Sequence, residues 1–116
     1  MSDIRQGQVY WLDFGLANGS EPAGRHPCVV VQNDIFNRSA IATSVVCLIT
    51  SNLSRAKAPG NVLLRKGEAH LPKASVVNVS QILTVDKAEL GECSGMLSAA
   101  SVTAVRNGLQ MLFDHL

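Results

Sequence analysis

Cys28-Val-Val-Val-Gln-Asn-Asp-Ile-Phe-Asn-Arg-Ser-Ala-Ile-Ala-Thr-Ser-Val-Val-Cys-Leu-Ile-Thr50 contains two dense apolar runs separated by turn residues. Cys28 to Gln32 is short, β-branched and continuous, the pattern of a strand buried on both faces. Asn33-Asp34 and Asn37-Arg38-Ser39 are turn material, and Thr43 to Thr50 supplies the next strand. Upstream, Gln8-Val-Tyr-Trp-Leu-Asp-Phe14 reads as a strand bounded by Gly7 and Gly15. Residues 15–27 are rich in Gly, Pro, Asn and Ser. A loop of that length in a small domain is more often functional than idle.

Downstream, Ser51 to Gly60 is irregular and ends on Pro59-Gly60. Asn61–Leu64, Ser75–Val79 and Ile82–Val85 are further strand candidates. From Ser98 the period changes. Val102, Val105, Leu109, Leu112 and Phe113 form a helical stripe, with Ser98 as its N-cap. Gly108 inside that helix costs up to ~1 kcal/mol relative to Ala, so packing must hold it. The spacing predicts one domain over residues 1–116, mainly β: a compact barrel or rolled sheet with a C-terminal helix.

Composition removes several classes. The chain has 116 residues, of which 47% are apolar and 16% charged, with mean hydropathy +0.17. That supports an ordinary core and argues against extended disorder. The longest apolar run is Val45 to Ile49, far short of the roughly 20 residues that span a bilayer. The N-terminus lacks a signal-peptide core. Cys28, Cys47 and Cys93 are widely spaced, without C-x-x-C or a Cys/His pairing, so neither a metal site, a cofactor nor a disulfide framework is expected. A cytoplasmic protein with no membrane association is the expectation.

The formal charge of +1 hides a division. Residues 25–73 carry seven Lys or Arg against two Asp or Glu, a balance of +5, and the remainder balances to −4. A cationic middle rich in loops can attract phosphates or can simply solvate exposed turns. Gly19 to Gly24 lacks the Gly-Lys-Ser/Thr ending of a P-loop. The carboxylates are scattered, the three histidines lie far apart, and no G-x-S-x-G occurs.

Several ordered motifs nevertheless resemble one family. Arg5-Gln-Gly-Gln-Val-Tyr-Trp-Leu-Asp-Phe14 is similar to the opening of MazF/PemK-type toxins, and Gly19-Ser-Glu-Pro-Ala-Gly-Arg-His-Pro27 followed by Val29-Val-Val-Gln-Asn-Asp34 to their first loop and strand. Thr50-Ser-Asn52, Lys57-Ala-Pro59, Ser75-Val, Gln81-Ile and Thr84-Val-Asp-Lys87 continue the likeness, so that it covers nearly the whole chain.

The resemblance implies an SH3-like barrel of the CcdB/MazF type. It also implies a homodimeric, sequence-selective endoribonuclease toxin that needs no metal and is neutralised by a MazE-like antitoxin. In this chemistry the 2′-hydroxyl of single-stranded RNA attacks the adjacent phosphate, leaving a 2′,3′-cyclic phosphate and a 5′-hydroxyl. It requires proton transfer and donors for the developing phosphorane charge. By the resemblance, Thr50 binds a phosphate oxygen, while Ser20, Glu21 and Gln81 support RNA. Arg55 and Lys57 add cations for the same ligand.

One departure matters. Where the family has Arg immediately before proline, this chain has His26, with Arg25 one step earlier. His can shuttle protons near neutrality but is not a permanent, forked cation. Pro27 biases His26 toward extended backbone, where neighbouring side chains diverge, so Arg25 should face away from the position of residue 26. Both remain catalytic candidates. Two other readings stay open: an attenuated RNA-binding homologue, and a non-nucleolytic CcdB-like toxin that binds DNA gyrase.

Overall fold

Cys28 lies opposite Leu48 and Val29 opposite Cys47, so the two central apolar runs are antiparallel neighbours. The computed structural model describes residues 3–15 and 24–115. Its strands are β1 (Gln8–Asp13), β2 (Arg25–Val30), β3 (Thr43–Thr50), β4 (Val62–Leu64), β5 (Ser75–Asp86) and β6 (Gly95–Met96). They form one curled sheet, a half-barrel in the order β4-β5-β3-β2-β1-β6. A short helix, α1 (Asp34–Asn37), joins β2 to β3, and α2 (Ala99–Phe113) follows β6. This is the mainly β architecture with a C-terminal helix that the strand spacing predicts.

Alternation along the strands feeds two cores. Val9, Val29, Cys47, Ile49 and Val77 face one side, where Val105 of α2 covers them. Tyr10, Leu12, Cys28, Val30, Val46 and Leu48 face the other, covered by Ile4 and Leu90. The sheet is buried on both faces, which explains why the central runs are continuously apolar.

Three details differ from the sequence-based expectation. Ser75–Val79 and Ile82–Val85 belong to the single strand β5, because the pairing shifts from Leu48↔Asn78 to Cys47↔Ile82. Such a bulge bends a strand and lets a sheet curl. Its polar groups are satisfied locally, with Asn78 donating to Gln81 Oε1 at 3.1 Å and Ser80 Oγ to Asn78 Oδ1 at 2.8 Å. The apolar stripe of α2 is buried only through Leu109. Leu112 and Phe113 are 45% and 72% exposed, because the helix runs past the edge of the core. Ser98 caps it as expected, accepting from Ser101 N at 3.1 Å.

The third difference is α1, where turn residues form a short helix. Buried Asn37 accepts from Gln32 Nε2 at 3.0 Å and from Ser44 Oγ at 2.9 Å, and donates to the Gln32 carbonyl at 2.8 Å. Asp34 accepts from Gln6 N at 2.6 Å. Gln32, Asn33 and Asp34 are therefore scaffold residues. Lys87 completes the corner, its Nζ donating to the carbonyls of Asn37 at 2.9 Å, Ser39 at 3.1 Å and Phe36 at 3.4 Å. Lys87→Met removes a cation from the helix C-terminus and leaves those carbonyls to solvent. It should cost about 1–2 kcal/mol in urea denaturation.

Cys28 and Cys47 are buried, and alternation sends them to opposite faces. Burial pushes both thiols up to about 12. A thiol raised in this way is inert, since the thiolate is the nucleophile. The folded chain should therefore react with a disulfide reagent at pH 8 only at half-buried Cys93, and three thiols should react after denaturation. Because the folded values lie above the unfolded ones, these thiols favour the folded state below the ordinary thiol range, and that contribution falls as pH rises above it.

Candidate active site

The ladder between β1 and β2 extends beyond Asp13↔Arg25, with Phe14 N donating to Gly24 O at 2.8 Å and Gly24 N to Gly15 O at 2.7 Å. This fixes the start of β2 and hence the aim of the two residues before Pro27. His26 pairs across the ladder with Leu12, and its ring lies 6.1 Å from that of Phe14. Arg25 leaves on the other face, its guanidinium carbon 5.8 Å from the centroid of Trp11. The two side chains diverge, as extended backbone requires. At the sheet rim, however, the divergence does not remove Arg25 from the site, because it and His26 line one cleft.

That cleft has a volume of ≈ 250 Å³. One wall is Trp11, Arg25, His26 and Pro27, and a second is Ile49, Thr50 and Ser51 at the end of β3. Leu71, Pro72, Lys73 and Ser75 supply the third. Because Cys28 pairs with Leu48, His26 and Thr50 come level two residues further along β2 and β3. Thr50 Oγ1 accepts from Asn52 N at 3.1 Å, which leaves its own proton available for donation. Ser75 Oγ donates to the Lys73 carbonyl at 2.9 Å and steadies the segment that carries the Lys73 ammonium.

Among the described residues, no carboxylate lines this cleft, whereas Arg25 and Lys73 both do. The arrangement suits an anion: two cations, an imidazole for proton transfer and a hydroxyl donor on facing walls. A larger open depression of ≈ 760 Å³ lies beside Arg38, Ile41 and Lys87. Its cation Lys87 is already held by carbonyls, so the smaller cleft is the better chemical site. Among the described residues, no three His, Cys, Asp or Glu side chains converge in a way that could hold a metal.

The other candidates are placed differently. Ser20 and Glu21 lie outside the described residues. Gln81 sits in the β5 bulge, accepting from Asn78, and does not line the cleft. Arg55 and Lys57 are exposed on the 3₁₀ turn Leu53–Lys57, which begins just after Thr50 and Ser51. Trp11, Ser51 and Ser75, which stand in the motifs without an assigned role, and Lys73, which stands in none of them, also line the cleft. The signal for Lys73 was its membership of the +5 segment, which does not by itself say which cations meet.

Residues 5–113 match the family described as PemK-like, MazF-like toxin of type II toxin-antitoxin system. The chain is 40% identical over 111 residues to the endoribonuclease MazF6 of Mycobacterium tuberculosis, covering 96% of this chain and 97% of that protein. It is 38% identical over 117 aligned positions to the endoribonuclease MazF of Staphylococcus epidermidis, covering 97% of each. Among solved structures, it is similar to MazF from Deinococcus radiodurans, with TM-score 0.74, 27% identity and 97% of each chain covered. A mycobacterial endoribonuclease in complex with its cognate antitoxin matches with TM-score 0.72 and 27% identity, over 96% of this chain and 93% of that one.

Proposed function

We infer the function from one premise: the chain belongs to the PemK-like, MazF-like toxin family of type II toxin–antitoxin systems. It is an endoribonuclease toxin, and the chemistry we propose for it is metal-independent cleavage of single-stranded mRNA at a short sequence. The observation that carries this reading is the cleft in which His26, Thr50, Arg25 and Lys73 meet, with no carboxylate among the described residues that line it.

In the proposed reaction the RNA 2′-hydroxyl gives up its proton, and its oxygen forms a bond to phosphorus. The bond from phosphorus to the 5′-oxygen breaks, and that oxygen takes a proton. No water is consumed in this step. His26 handles proton transfer, Arg25 and Lys73 stabilise the negative charge that grows on the equatorial oxygens, and Thr50 donates to one of them. Ser20, Glu21, Gln81, Arg55 and Lys57 are proposed as further RNA contacts along the strand.

An antitoxin partner fits the same electrostatics, since an acidic, flexible chain competes with RNA for a cationic cleft. Homodimerisation is proposed with it. Exposed Met111, Leu112 and Phe113 on α2 offer apolar surface that association would cover.

Incubation of the purified chain with a long RNA in EDTA, followed by mapping of both ends at each cut, tests the mechanism. The expected products carry 2′,3′-cyclic phosphates and 5′-hydroxyls. Cleavage that appears only on addition of a divalent metal, or that leaves 5′-phosphates, overturns it.

A further inference from the structure

Beyond Arg25, a second depression of ≈ 460 Å³ opens on the side of the site away from Thr50. Trp11 and Arg25 line both hollows, so the two are contiguous across one stacked pair of side chains. The chemistry changes across that wall. Among the described residues the cleft is lined by cations and no carboxylate, whereas the second groove carries exposed Glu89 and Glu92. Its floor is fixed by backbone: Ser94 N donates to the Val9 carbonyl at 2.9 Å, and the Ser94 carbonyl lies 2.7 Å from His70 Nδ1.

We propose that this groove is a base-reading subsite that holds a guanine flanking the scissile phosphate. The proposal rests on the ribonuclease reading above. A phosphate is repelled by two carboxylates, so the part of a nucleotide that enters the groove is the neutral base. The platform is the Arg25 guanidinium laid over Trp11, a surface on which a base stacks. Ionised glutamates only accept hydrogen bonds. Guanine alone presents two adjacent donors, N1–H and the 2-amino group, on its Watson–Crick edge. Uracil sets its one donor between two carbonyls, and cytosine and adenine set their amino group beside a ring acceptor. Two acceptor-only side chains at the edge of a stacking platform therefore select guanine.

The division of labour follows from the shared wall. Arg25 faces the phosphate in the cleft and supports the base in the groove, so base recognition and phosphate placement are joined at one residue.

The test uses the whole chain and two steps. Cut sites are mapped on a long RNA, and oligonucleotides of the preferred site are then made with guanosine or inosine next to the cut. Inosine keeps N1–H and lacks the 2-amino group. The expected result is a guanosine adjacent to the scissile bond and a kcat/KM roughly 10–100-fold lower with inosine, the discrimination of one good bidentate contact. In the double variant Glu89→Ala/Glu92→Ala, at two exposed positions, that ratio should collapse toward one. Cut sites without an adjacent guanosine, or a ratio unchanged in the variant, overturn the subsite and leave the nuclease standing. Absence of any RNA cleavage overturns the nuclease reading, and the subsite with it.

Discussion

Gly108→Ala is expected to destabilise the fold by about 2 kcal/mol, although it places the best helix former in the middle of a helix. Propensity alone predicts a gain of up to ~1 kcal/mol. Contact decides the sign. A Cβ at Gly108 would strike the carbonyl oxygen of Gly60 and come within 3.0 Å of its carbonyl carbon and 3.2 Å of its Cα. The obstacle is backbone, so no rotamer change relieves it. Gly60 cannot retreat easily, because its φ of +77° is a glycine conformation and its own Cβ position is 3.1 Å from Gly108 and Val79. The next residue, Asn61, is pinned on both sides, donating to Arg55 O at 3.0 Å and accepting from Val79 N at 2.9 Å.

The measurement is a thermal or urea melt, with the exposed neighbour Asn107→Ala as control. Asn107→Ala removes a weaker helix former at a solvent-facing position and should stabilise by a few tenths of a kcal/mol. Gly108→Ala should move the midpoint the other way, by about 8 °C for a chain of this size. If both variants shift in the same direction, α2 does not dock glycine on glycine.

This pair marks the boundary of what sequence can say. The helix stripe from Val102 to Leu109 and its Ser98 cap are local patterns, and they read correctly. The penalty at Gly108 is legible too, but its reason is a glycine in a distant turn. The same distinction holds elsewhere. The run Thr43–Thr50 is a strand by composition, with the predicted ends. In contrast, β6 is two residues long and exists because Gln8 and Val9 lie beside it, so no periodicity marks it. The α1 corner depends on Gln6, Gln32, Ser44 and Lys87 meeting at Asn37 and its neighbours, a set that only the curled sheet assembles.

The site shows a similar limit. His26 and Thr50 stand in recognisable motifs, and strand alternation correctly separates His26 from Arg25. Alternation could not reveal that both lie at the rim, where opposite faces of a curled sheet open into one cleft. Trp11 and Lys73 belong to unrelated stretches of chain, and only the closure of three walls makes them neighbours. Charge counting found the cationic segment. It did not show that Arg38 lines a separate depression while Arg25 and Lys73 share the cleft.

His26→Ala is expected to lower the rate of RNA cleavage by roughly 10²–10⁴, the range for losing a positioned acid or base, with KM changed much less. The division between His26 and Arg25 is what makes the prediction specific. Arg25 is held on Trp11 as a forked cation, so it serves as an electrostatic donor and not as a proton carrier. Arg25→Ala should therefore cost roughly 10²–10³ in kcat while preserving the shape of the pH–rate profile. His26→Ala should flatten one limb of that profile, because the proposed proton carrier is gone. His26→Arg separates the roles further. It adds a second forked cation beside Thr50 and removes the imidazole. If charge stabilisation limits the native chain, cleavage rises by about 10-fold or more with RNA affinity similar; if proton transfer limits it, cleavage falls. The assignment of His26 fails if His26→Ala leaves both rate and pH profile unchanged while Arg25→Ala abolishes cleavage. In that case the arginine one step earlier performs the whole reaction from the opposite face of β2.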